Sequence, residues 1–399
     1  MAAPSVLEVA QIFHLFGEEY RQKHRLSRPQ LRTMRAIEVC RTAVLGGHVD
    51  ECDQCGARTI RYNSCRNRHC PKCQSLDKER WLGQRRNELL PVPYFHVVFT
   101  VPRALNPLAL VNPKWFYNLL FASASQALLE IAADPKRLGA RIGVLSVLHT
   151  WSQTLELHPH LHCIVPGGGL SLDGERWVAT RRANYLLPVQ VLAALFRGKF
   201  LAGVKAARQA DQLILPESLQ DRGSFENLLD QIYAKTWVVY SKPPFGSPEQ
   251  VLAYLARYTH RVAISNPRLI RLADGRVSFA YKDYSQGGRA REMTLPVEEF
   301  IRRFLLHVLP ESFVRIRYFG LLSNRHRKGN LARCREWLKA HPVPETGISA
   351  ALAPEDWRAR LTRLTGRDPT VCLVCGQGHL RLVEELPAVP FDRPGRSPP

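Results

Sequence analysis

A chain of 399 residues, 45% hydrophobic and 23% charged, is long enough for two or three domains and a sizeable core. Its 56 lysines and arginines against 35 carboxylates leave a net charge of +21 and a pI near 9.9. That excess argues against an enzyme of small metabolites and for a polyanionic partner, foremost nucleic acid.

The ten cysteines are clustered, five of them between Cys52 and Cys73, which suits metal in a reducing compartment better than a disulfide framework. Residues 1–10 lack a basic segment followed by an apolar core, so no secretory signal is expected. The most apolar run, Trp115 to Leu129, is broken by Asn118, Ser123, Ser125 and Gln126, so no membrane span is expected either. The expected location is the cytoplasm, in association with the nucleoid.

Residues 5–45 read as helices. Val6, Val9, Ile12, Phe13 and Phe16 recur at helical spacing, and Arg28-Pro29-Gln30 marks a second start continued by Leu31, Met34, Ile37 and Val39. Arg21, Lys23, Arg25, Arg28, Arg32, Arg35 and Arg41 make this segment basic, as either a solvated face or a phosphate-contacting one. Cys52-x-x-Cys55 then precedes Cys65, His69 and Cys70-x-x-Cys73. Two such knuckles fourteen residues apart fit a structural zinc ribbon. Cys52, Cys55, Cys70 and Cys73 are the favoured ligands, with Cys65 or His69 as substitutes. Arg58, Arg61, Arg66, Arg68 and Lys72 lie on or near the ribbon.

A helix is expected over 76–90 and a buried strand over Tyr94 to Val101, on which His96 is either a ligand or, as is more common for one histidine in an apolar strand, structural. An apolar helix over 113–133 and a strand over Ile142 to Trp151 follow. The next strand carries His158-Pro159-His160-Leu161-His162. Alternation places His160 and His162 on one face, where two imidazoles can bind a divalent cation. Gly167, Gly168 and Gly169 then end the strand and permit close approach of another chain. Gln153 is the favoured third ligand, with His149 and His158 as rivals.

Residues 170–235 read as an insertion with a turn near Asp173-Gly174 and two helices. After a strand at Trp237 to Tyr240, Ser247-Pro248 opens a helix that stacks Tyr254 and Tyr258 one turn apart, with Arg257 and Arg261 beside them. Spacing alone makes such a pair ordinary packing. A hairpin turning at Asp274-Gly275 and an amphipathic helix over 296–309 follow. From Phe313 to Arg335 aromatics interleave with Arg315, Arg317, Arg325 and Arg327, a pattern suited to phosphate neutralisation and base stacking or to a solvated face. Cys372-x-x-Cys375 with His379 reads as half of a second metal site or an isolated knuckle. The tail from Pro387 is Pro-rich and expected to be disordered.

Together these residues allow phosphoryl transfer. A tyrosine hydroxyl, with a pKa near 10, is a poor nucleophile at neutral pH, and Mg²⁺ or Mn²⁺ on the scissile phosphate would draw off charge and orient the ester. Attack would displace the 3′ oxygen and store the bond energy as a 5′-phosphotyrosine. A second tyrosine would let one strand end be held while another is attacked, which suits strand transfer better than hydrolysis.

In CRNRHCPKCQ (65–74), HTWSQTLELHPHLHCIVPGGG (149–169), YLARYTHR (254–261) and IRYFGLLSNR (316–325) the chain resembles the two-tyrosine rolling-circle transposases of insertion-sequence family ninety-one, in the HUH endonuclease superfamily. The resemblance spans roughly residues 10–380. It implies His160 and His162 as metal ligands, Tyr254 and Tyr258 as nucleophiles, and nicking of single-stranded DNA at element ends with transfer to target DNA. It also implies an α+β fold, with a central antiparallel sheet carrying the histidines and flanking helices. The resulting division is a basic helical segment (1–45), a zinc-binding domain (46–90), a catalytic domain (91–310) with its insertion near 170–235, a basic C-terminal DNA-binding region (311–385) and a disordered tail (386–399). No phosphate-binding G-x-x-x-x-G-K-[ST] loop occurs, so strand separation would fall to host helicase or replication proteins. The competing readings are a plasmid replication initiator or relaxase with the same chemistry, and a non-catalytic zinc-ribbon regulator.

Overall fold

In a computed structural model of the chain, residues 7–73, 81–82, 85, 88–182, 184–245, 250–251, 263–340 and 356–389 are described. Their strands are, in chain order, β1 (Gly47–Cys52), β2 (Arg58–Tyr62), β3 (Tyr94–Thr100), β4 (Ala140–Trp151), β5 (Leu157–Pro166), β6 (Gly168–Ser171), β7 (Trp177–Ala179), β8 (Val239–Phe245), β9 (Leu269–Ala273), β10 (Arg276–Asp283), β11 (Arg289–Pro296), β12 (Ile316–Gly320) and β13 (Leu380–Leu386). The chain forms two compact units. One comprises residues 1–83, 260–308 and 351–399, the other 84–259 and 309–350.

The first unit opens with helices Val9–Lys23 and Arg28–Glu38. Each start is fixed by a glutamine reaching back: Gln11 accepts from the Glu8 amide and Gln30 from the Ser27 amide, both at 2.9 Å, which satisfies donors the helix leaves orphaned. Phe13 packs edge-on against Phe304 of helix Val297–Leu305, and Arg21 pairs at 2.7 Å with Glu38, whose side chain is only 4% exposed. The hairpin β9–β10 turns at Asp274 and Gly275, both with positive φ, as the Asp-Gly pair predicts, and β11 extends it to three strands. A second three-stranded sheet has the order β13-β1-β2. Thus residues 263–308 cluster with the N-terminal helices, and the segment 311–385 supplies a strand to each unit.

The second unit is built on a seven-stranded sheet, ordered β7-β6-β4-β5-β3-β8 with β12 also paired to β4; its pairings are antiparallel. Helices Pro113–Ala133 and Val189–Gln209 cover one face. Phe99 meets Phe196, and Phe116 meets Phe200, with ring centroids 5.0 and 5.2 Å apart. Each buried aromatic contributes roughly 1.5–3 kcal/mol of transfer energy. The stretch read as an insertion therefore contributes to the core, giving this unit β7, part of β6 and the covering helix Val189–Gln209. The glycine run permits this: a Cβ on Gly169 would lie 2.4 Å from the Arg141 carbonyl oxygen. The fold is α+β, a central antiparallel sheet with flanking helices.

Candidate active site

The face of the sheet away from the helices carries the histidines. On β5, alternation points His160 and His162 to the same side, while Leu161 and Cys163 are fully buried. The β4–β5 hairpin turns at Ser152 to Glu156, where Ser152 Oγ accepts from the amides of Thr154 and Glu156. That turn sets a register in which His149 lies directly opposite His160, and Val147 opposite His162. Cross-strand partners share a face, so His149 joins the pair. The ligating atoms of His149, His160 and His162 all lie within 4.8 Å of one another.

Their hydrogen bonds set the tautomers. His160 Nδ1–H donates to the His158 carbonyl at 2.7 Å, leaving Nε2 as a lone pair. His162 Nδ1 shares a 2.8 Å hydrogen bond with Nε2 of His96 on β3. Burial, aided by Lys242 and His160, pushes the His96 imidazole down to about 3, so it stays neutral and can accept from His162. The Nε2 atoms of His160 and His162 then face each other at 3.1 Å. With His162 donating to His96, both Nε2 atoms present lone pairs, and their spacing matches the roughly 3.0 Å edge of an octahedron with bonds of about 2.1 Å. The donor set therefore fits a divalent metal with open coordination positions. Imidazole ligands suit Mn²⁺ better than Mg²⁺, which prefers oxygen.

Of the three candidates for third ligand, the structure gathers His149 with the pair. Gln153 lies in the turn after β4. The His158 ring lies 5.0 Å from that of His160 and tilted by 44° to it, and burial lowers its pKa. Tyr254, Tyr258, Arg257 and Arg261 lie outside the described residues. The basic segment separates by face. Tyr318, opposite Leu145, shares the histidine side of the sheet, with the Arg327 guanidinium 4.6 Å from its ring centroid and Arg327 paired to Glu88 at 3.4 Å. Arg317, opposite Ser146, points to the helix side. Its guanidinium lies 4.3 Å from the Phe121 ring centroid and donates to Asn118 at 2.6 Å. This arginine is part of the packing. Arg325 is exposed.

The expected ribbon of Cys52, Cys55, Cys70 and Cys73 is redistributed. Cys70 and Cys73 group with Cys65 and with Cys40, a buried residue just past helix Arg28–Glu38. Cys73 Sγ lies 3.5 Å from Cys40 and 3.6 Å from Cys65, near the about 3.8 Å edge of a tetrahedron with zinc–sulfur bonds of about 2.3 Å. Cys52 and Cys55 stand apart from this group, which does not include His69. Cys40 precedes the dense run of cysteines and belongs to no C-x-x-C knuckle, so local spacing does not mark it as a ligand.

Residues 12–101 match the family described as "Transposase zinc-binding domain", of the IS91 type, and residues 143–329 match "Putative transposase". The chain is 52% identical over 382 residues to the putative transposase y4qJ of Sinorhizobium fredii, covering 94% of this chain and 95% of the relative. This chain belongs to the IS91-type transposase family. It is also 29% identical over 365 residues to the transposase for insertion sequence element IS801 of Pseudomonas savastanoi pv. phaseolicola, covering 87% of this chain and 82% of that one. Among solved structures, the conjugative relaxase TrwC in complex with oriT DNA aligns over 64% of this transposase and 71% of that chain. The identity is 12% and the TM-score 0.22. The N-terminal region of this transposase is a zinc-binding domain, and the Cys40, Cys65, Cys70 and Cys73 set suits its structural zinc. Among the described residues no helix is long and apolar enough to cross a membrane.

Proposed function

We propose that this transposase nicks single-stranded DNA at the ends of its element and transfers the strand by a rolling-circle-like route, using Tyr254 and Tyr258 as nucleophiles. The observation that carries the reading is the convergence of His149, His160 and His162 on one face of the sheet in a protein of this family. The three imidazoles would hold Mn²⁺ or Mg²⁺, with Mn²⁺ favoured by the nitrogen donors. Bound there, the cation would withdraw charge from the scissile phosphate.

In the cleavage step a tyrosine oxygen loses its proton to solvent or a nearby base and forms a bond to phosphorus. The P–O3′ bond breaks, and the leaving 3′ oxygen takes up a proton. The product is a 5′-phosphotyrosine and a free 3′ hydroxyl. Transfer reverses this exchange, as a 3′ hydroxyl of target DNA attacks the phosphotyrosine and releases the tyrosine. Bond energy is conserved, so no nucleotide cofactor is required. Arg325 and the arginines beside the tyrosines would bind phosphates, and host helicase or replication proteins would expose the single strand. The site of action would be the cytoplasm, at the nucleoid.

The test is covalent trapping with Mn²⁺ and a 3′-end-labelled strand spanning the element end, in the parent protein, in Tyr254→Phe, in Tyr258→Phe and in the double variant. The reading predicts a metal-dependent adduct that only the double variant abolishes. Undiminished DNA binding with no adduct in the parent would contradict it and favour a non-catalytic DNA-binding role.

A further inference from the structure

We propose that Cys52, Cys55, Cys372 and Cys375 form a second zinc site that joins the N-terminal zinc-binding domain to the C-terminal segment of the chain. The zinc-binding domain match ends at residue 101, so half of this ligand set lies outside it. All four sulfurs lie within 4.8 Å of one another. Cys52 Sγ is 3.7 Å from Cys375 Sγ, and Cys55 Sγ is 3.7 Å from Cys372 Sγ. Both spacings match the about 3.8 Å edge of a zinc tetrathiolate.

The backbone supports the same assignment. Cys52-Asp53-Gln54-Cys55-Gly56 and Cys372-Leu373-Val374-Cys375-Gly376 are two copies of one knuckle. In each, the glycine after the second cysteine has positive φ, +67° at Gly56 and +73° at Gly376. In each, that glycine amide donates to the carbonyl of the first cysteine, at 3.1 and 3.0 Å. This turn brings both sulfurs of a knuckle to the same side. In the C-terminal knuckle the amides of Val374 and Gly378 point at Cys372 Sγ and Cys375 Sγ, 3.4 and 3.3 Å away, donors that stabilise thiolate over thiol.

The two knuckles are docked by ordinary strand pairing. β13 follows the C-terminal knuckle and pairs antiparallel with β1, Leu380 opposite Cys52. The Asp53 amide donates to the His379 carbonyl at 3.0 Å, and the His379 amide donates to Asp53 Oδ1 at 2.7 Å. Gly378 is required by contact: a Cβ there would lie 2.4 Å from Cys52 Sγ. His379 is exposed and does not belong to the set. Four soft thiolates in a tetrahedron select zinc over the hard cations, and one ion would link Cys55 to Cys372, 317 positions along the chain. The site can form only when the C-terminal knuckle is present, so it ties folding of the zinc domain to the segment that carries Cys372 and Cys375.

The full-length protein, reconstituted with Co²⁺ as a spectroscopic stand-in for zinc, provides the test, because thiolate-to-cobalt charge transfer counts sulfur ligands and ignores the histidine site. The proposal predicts that Cys372→Ser with Cys375→Ser halves this absorbance. Cys52→Ser with Cys55→Ser should give the same loss, and all four serines together no further loss. Full absorbance in the Cys372/Cys375 variant would overturn it. A second readout needs no variant. In the zinc-loaded parent protein, Cys372 and Cys375 should resist alkylation and become reactive together with Cys52 and Cys55 on chelation. Alkylation of Cys372 and Cys375 at free-thiol rates before chelation would also overturn it, as would a disulfide among the four.

Discussion

His96 reaches across from β3 to place its Nε2 2.8 Å from Nδ1 of His162, the two rings lying nearly parallel. The contact orients His162 so that its other nitrogen faces His160. Such partners hold a ligating ring in one tautomer, and their loss typically lowers metal affinity about 10–100-fold. His96→Ala should weaken Mn²⁺ binding by that order, measured by electron paramagnetic resonance titration. His96→Gln, which restores an acceptor, should recover part of the loss. Unchanged affinity in His96→Ala would remove this role.

Two arginines of one basic segment should behave differently. Arg317 packs over Phe121 and Phe313 and donates to Asn118, so Arg317→Ala should cost about 1–2 kcal/mol of stability in denaturant unfolding. Arg325 is exposed, so Arg325→Ala should leave stability unchanged and reduce the salt dependence of DNA binding by about one counterion. Equal effects on DNA affinity without a stability difference would contradict the assignment by face.

The first unit should show an acid-sensitive ion cluster. Hydrogen bonds from Arg302 and Arg303, at 2.6 Å each, hold the Glu299 carboxyl down to about 2, against a usual value of 4.5. A depressed carboxylate contributes stability that is fully present above its unfolded pKa and is lost as pH falls through the folded one. Unfolding midpoints should therefore drop between about pH 4.5 and 2. Glu299→Gln should flatten that part of the profile; an identical acid slope in the variant would exclude the contribution.

The sequence disclosed local chemistry better than long-range partnership. The His160–His162 pair follows from strand alternation, and the Asp274-Gly275 hairpin from turn stereochemistry. His149 was among the candidates, but its place depended on the β4–β5 register. A hairpin turning about Thr154 and Leu155 pairs 149 with 160, and Leu155 holds the turn at φ +62°. The cysteine partners were less accessible. Each C-x-x-C knuckle is visible, yet which knuckles share an ion depends on β13 pairing with β1, across more than 300 residues. Periodicity carries no information about such a pairing. Arg317 and its basic neighbours look alike in sequence, and only the β12 register separates the side facing the helices from the side facing the histidines.

The central claim is that His149, His160 and His162 form the metal centre at which DNA is cut. The most direct measurement is the Mn²⁺ dependence of the covalent protein–DNA adduct in His149→Ala beside Gln153→Ala. The account predicts that His149→Ala lowers adduct yield at limiting Mn²⁺ by about 100-fold, with partial recovery at high Mn²⁺, while Gln153→Ala titrates like the parent protein. Loss in Gln153→Ala with a normal titration in His149→Ala would contradict it.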